Sequence, residues 1–123
     1  MGIDVYSVAI TTTGSAGSAT GSGTIDIAKP GWCEWVYLDF HASAAATTDV
    51  TIALSNPTGG NLLATTNTVT DARFYPRASV VTQANAAITD GYDKIALTGD
   101  LSVTVAQADA LAPCVTVYVA VSS

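Results

Sequence analysis

The chain has 123 residues, 49% of them hydrophobic and only 11% charged, with a formal net charge of −6. That length closes one apolar core and not two, and the apolar share excludes an intrinsically disordered chain. With Lys29, Arg73, Arg77 and Lys94 as the only cations against ten acids, no phosphate-neutralising stripe can be assembled, which argues against nucleic acid and anionic membrane as partners.

The N-terminus, Met-Gly-Ile-Asp-Val-Tyr, has no basic n-region followed by an apolar h-region. No stretch approaches the ~18 apolar residues that span a bilayer. The sequence therefore reads as a soluble product of the cytoplasm. Ile3, Val5 and Ser7 alternate with Asp4, Tyr6 and Val8, and this period of two predicts a first strand over 3–12. Residues 13–23 (TGSAGSATGSG) are Gly/Ser/Thr-rich and predict an exposed, mobile loop. A short strand is expected over 24–28 with Ile25 and Ile27 inward, ended by a β-turn at Lys29-Pro30-Gly31.

Residues 32–41 (WCEWVYLDFH) form the strongest predicted strand. Strict alternation puts Val36, Leu38 and Phe40 on one face and Cys33, Trp35, Tyr37 and Asp39 on the other, as in a central strand covered on both sides. Val50, Ile52 and Leu54 mark another strand, and Asn56-Pro57-Thr58-Gly59-Gly60 a turn. A weaker strand follows over 62–69. Pro76 interrupts the segment 72–81, so that segment is an edge or a strand entrance. Asp90-Gly91-Tyr92-Asp93 reads as a turn, 94–97 as a short strand and 101–105 as a longer one. Residues 107–113 have room for one helical turn ended by Pro113. Val115, Val117, Val119 and Val121 share one face of the last strand. The sum is a single all-β domain over 1–123, an antiparallel β-sandwich or jelly-roll-like barrel of eight to nine short strands.

Groups able to carry chemistry are few. His41 is the only histidine, and any Ser-His-Asp or Cys-His arrangement would have to use it. Cys33 and Asp39 stand about 20 Å apart along one strand, so local geometry does not assemble such a site. Cys33 and Cys114 belong to no CxxC or Cys/His cluster and read as free thiols. Asp90 and Asp93 stand close enough to suggest calcium, yet they lack the alternating ligands and terminal Glu of a calcium loop. The glycines match no phosphate-binding loop. The chain is therefore expected to be no enzyme, with no cofactor and no metal.

Two readings answer the shortage of charge, against roughly 25% in an average soluble domain. One is a surface coated with Thr and Ser. The other, which we prefer, is a surface partly buried against neighbouring subunits. Trp32, Trp35, Tyr37, Arg73, Phe74, Tyr75 and Arg77 are the candidate interface residues, because aromatic side chains and arginine anchor contacts. Trp32, Trp35 and Tyr37 also suit a sugar-stacking platform.

The charge-poor Ala/Thr/Ser/Val texture, with DKIALTGDLSVTVAQADAL at 93–111 and VTVYVAV at 115–121, resembles the small head decoration (cement) proteins of tailed bacteriophages. The likeness covers about the last third of the chain. It implies a virion protein, made in the host cytoplasm, that sits as a homotrimer on a capsid and clamps major capsid protein subunits. Segments 1–4, 13–23 and 73–77 would do the clamping. A carbohydrate- or host-binding module, or a tail or fibre component, are the other classes compatible with the same texture.

Overall fold

The computed structural model describes residues 2–55, 60–81, 84 and 87–123. It is all-β and antiparallel, with eleven strands rather than eight or nine. They are β1 Ile3–Ile10, β2 Ala19–Ile25, β3 Gly31–Phe40, β4 Asp49–Leu54, β5 Asn61–Thr65, β6 Ala72–Phe74, β7 Arg77–Val81, β8 Ala87–Lys94, β9 Ala96–Leu97, β10 Leu101–Ala108 and β11 Val115–Ser122. One sheet runs β1-β11-β3-β6, with β9 also on β3. The second runs β2-β10-β4-β5, and β7 and β8 form a separate hairpin.

The two sheets face each other across a core of β-branched and Leu side chains at alternate positions. Such residues pack well on a pleated surface. The first sheet supplies Ile10, Val36, Leu38, Val115, Val117 and Val119. The second supplies Ile25, Val50, Ile52, Leu101, Val103 and Val105, all essentially inaccessible to solvent. Each such side chain contributes about 1.5–3 kcal/mol through removal from water. The chain ends lie side by side, because β1 pairs with β11 along its whole length, from Ile3 with Ser122 to Ile10 with Val115.

The Gly/Ser/Thr-rich stretch corrects the expectation of a loop over 13–23. Its second half is strand β2, which crosses into the second sheet and pairs with β10. Glycine is required there by space. A Cβ on Gly21 would run into the Thr11 carbonyl, and one on Gly23 would stand 2.8 Å from Ile10 Cδ1. Small residues let β2 tuck under the end of β1, so the sheets approach at this edge. Gly14 and Gly17, both at positive φ, make the turn before it. Asp109 Oδ1 accepts the Gly17 amide at 2.9 Å. The buried Thr12 hydroxyl donates to the Asp109 carbonyl and accepts the Leu111 amide, joining β1 to the β10–β11 connection.

Other expectations shift as well. Residues 90–93 lie inside β8 instead of forming a turn, and 107–108 end β10 instead of opening a helical turn. Pro76 separates β6 from β7, and β6 lies at an edge of its sheet, as proline's missing donor requires. The turn expected at 56–60 falls, apart from Gly60, outside the described residues.

Candidate functional site: the aromatic outer face of the first sheet

Strand β3 carries the site, and a bulge sets which residues it shows. Val121 pairs with Cys33 and Ala120 with Trp35, which leaves Glu34 as an extra residue on β3. The extra residue reverses the alternation. Cys33 therefore points into the core and is fully buried, correcting its expected place beside Trp35, Tyr37 and Asp39. Arg77 holds the bulge. Its guanidinium donates to the carbonyls of Pro76 at 2.7 Å, Cys33 at 3.3 Å and Glu34 at 3.4 Å. On the bulge, the Glu34 carboxylate accepts from Lys94 Nζ at 2.7 Å and from the Ser122 hydroxyl, and these bonds hold its pKa below the ordinary value.

Beyond the bulge, cross-strand pairing lines up the outer face in rows. Ile3, Ser122 and Trp32 form the first, Val5, Ala120 and Trp35 the second, and Ser7, Tyr118, Tyr37 and Arg73 the third. Ala9, Thr116 and Asp39 complete the face. The first two rows are an apolar corner: Ile3 is 58% exposed, Val5 53% and Trp32 48%. Trp35 of the second row and Tyr37, Asp39, Arg73 and Tyr118 of the last two line a shallow open hollow of about 240 Å³. The Tyr37 and Tyr118 rings form its floor, with centroids 6.2 Å apart and planes tilted by 46°. The Arg73 guanidinium lies 4.5 Å over the Trp35 ring, a cation–π stack that holds the charge at one end.

No family model matches the chain. No curated protein and no solved structure matches it either.

The seven candidate interface residues divide into groups. Trp35, Tyr37 and Arg73 meet in the hollow. Trp32 lies in the neighbouring row at the apolar corner and does not line the hollow. Phe74 pairs with Val36 and packs on the core, while Tyr75 is 59% exposed beside it. Arg77 braces the bulge through backbone carbonyls. Tyr118 and Asp39 belong to the hollow and were not among the candidates. Asp39 is signalled by its two-residue step from Tyr37, whereas Tyr118 needs the β3–β11 register.

The groups weighed for catalysis or metal binding lie apart. His41 is exposed, with Nδ1 accepting the Ser43 amide at 2.9 Å. Its backbone amide bonds to the Cys114 carbonyl, but the Cys114 side chain is buried. Burial raises both thiol pKa values, that of Cys33 to about 11. The two cysteines lie at opposite ends of the β3–β11 ladder, roughly 20 Å apart, and are free. Among the described residues no three His, Cys, Asp or Glu side chains gather closely enough to hold a metal.

The second sheet presents a different exterior. Thr20, Ser22 and Thr24 of β2 and Ser102 and Thr104 of β10 alternate outward and are exposed. Hydroxyl groups coat one sheet, and apolar and aromatic groups occupy the other.

Proposed function

We propose that this chain is a virion structural protein that decorates a phage capsid, binding major capsid subunits as a symmetric oligomer and stabilising the shell. The supporting observation is the contrast between the outer faces. One carries hydroxyl groups suited to water, while the other exposes Ile3, Val5 and Trp32 together on paired strands. Clustered apolar exposure of this kind marks contact surfaces. The corner lies on regular strands, β1 and β3, both paired with β11. It can therefore be covered without the entropic cost of ordering a loop.

The mechanism is added buried area. A stable interface of standard size removes roughly 1,600 Å² from water. Several such contacts made by one symmetric oligomer reinforce one another through effective concentration. Light scattering coupled to size exclusion tests the oligomer, with an expected mass near three times 12.4 kDa. Sedimentation with purified heads and, separately, with tails tests the partner. Binding to heads that is lost in Trp32→Ser and Val5→Asp chains supports decoration. Binding to tails alone assigns the chain to a tail or fibre, and a monomer that sediments with neither removes the reading.

A further inference from the structure

The hollow in the outer face of the first sheet has a chemistry distinct from the apolar corner beside it. Its floor is two phenol rings, and its ends carry opposite charges. Asp39 follows Trp35 by four residues on β3, about 13 Å along the strand, and Arg73 leans over Trp35 and away from Asp39. Arg73 and Asp39 form no ion pair with each other or with any other group among the described residues. A carboxylate acceptor and a guanidinium donor thus flank an apolar floor. An open hollow of about 240 Å³ is on the scale of one pyranose ring.

From this arrangement we infer that the hollow binds one ring of a neutral carbohydrate. The C–H face of the sugar lies on Tyr37 and Tyr118. Asp39 accepts hydrogen bonds from hydroxyls at one edge of the ring, and Arg73 donates to hydroxyl oxygens at the other. Paired opposite charges favour a neutral ligand, because an anionic sugar faces Asp39 and a cationic one faces Arg73. Trp35 acts through Arg73, fixing the guanidinium by stacking. Only one face of the sugar is covered, so the affinity for a single ring is weak, with a Kd on the order of 1 mM. A chain that presents many copies gains strength by avidity.

The test titrates the intact protein with the methyl glycosides of glucose, galactose, mannose and N-acetylglucosamine, each to about 50 mM. Glucuronate and glucosamine serve as charged controls. Amide chemical shifts and tryptophan emission report binding. Shifts confined to β3, β6 and β11 for at least one neutral glycoside, weakened at least tenfold by Asp39→Ala and by Tyr118→Ala, are the expected result. Asp39 is exposed, so Asp39→Ala leaves the core untouched and remains informative if Tyr118→Ala fails to fold. Absence of shifts with every neutral glycoside overturns the inference. So does binding of the charged sugars alone, or binding that Asp39→Ala leaves unchanged. Capsid binding by a protein whose hollow takes no sugar overturns this inference and leaves decoration standing; a sugar-binding monomer does the reverse.

Discussion

Gly21 sits where β2 passes beneath the end of β1, and a methyl group there meets the Thr11 carbonyl and, at 2.9 Å, Ile10 Cγ2. Backbone cannot swing aside as a flexible side chain can, so the strands must separate. Gly21→Ala is expected to cost about 1–3 kcal/mol, the usual penalty of overpacking, read as a lower midpoint in urea. Gly2→Ala, where nothing lies within 4 Å of the added carbon, is the control and leaves the midpoint unchanged. Cys33 gives a second test at the same scale. Desolvation raises its thiol from an ordinary 9.0 to about 11, with Arg77 partly opposing the rise. A raised pKa means that the folded state favours the protonated thiol. Its stabilising contribution is complete below pH 9 and is lost as the pH rises towards 11. The urea midpoint is expected to fall over that alkaline window, and the fall is reduced in Cys33→Ala. At pH 8 both thiols resist a thiol reagent until the chain is unfolded, because reaction requires an exposed thiolate.

At the scale of elements, the bulge on β3 decides what the outer face displays. One extra residue at Glu34 sends Cys33 inward and leaves Trp32 and Trp35 outward on either side of the kink. Arg77 satisfies the carbonyls that the interrupted ladder releases, and so joins the start of β7 to the middle of the first sheet. Replacing it with Met keeps much of the apolar stem but leaves those acceptors without a charged donor. Arg77→Met is expected to cost about 1–3 kcal/mol in thermal unfolding and to shift tryptophan emission as the bulge relaxes. An unchanged melting temperature and spectrum would show that water replaces the guanidinium at no cost. The Lys94–Glu34 pair is a weaker brace on the same element, since exposed ion pairs contribute little. Glu34 has a lowered pKa, so this brace acts above the ordinary carboxylate range and is released as acid protonates Glu34.

Across the whole molecule, the two outer faces on the shared core are unequal, and both proposed activities lie on one of them. The apolar corner and the hollow are adjacent rows of the same sheet, so separate substitutions address them. Trp32→Ser is expected to abolish binding to heads, checked by sedimentation, while leaving the chemical shifts around Tyr37 and Tyr118 in place. Period-two alternation by itself determined that the protein is all-β and antiparallel, a sandwich or barrel. It also marked the core side chains of β3, β4, β10 and β11, because a strand with one buried face must repeat every two residues. The meeting of Trp35 with Tyr37 was legible for the same reason. Tertiary structure decided the rest. It made a strand of the glycine-rich stretch, because Gly21 and Gly23 are valuable only where another strand passes close by. It turned Cys33 inward, because a bulge is a mismatch between two strands and is invisible in either alone. It brought Tyr118 and Arg73 to Tyr37, since register is set by burial between segments distant in sequence, and a hollow built from three strands exists only once they are paired.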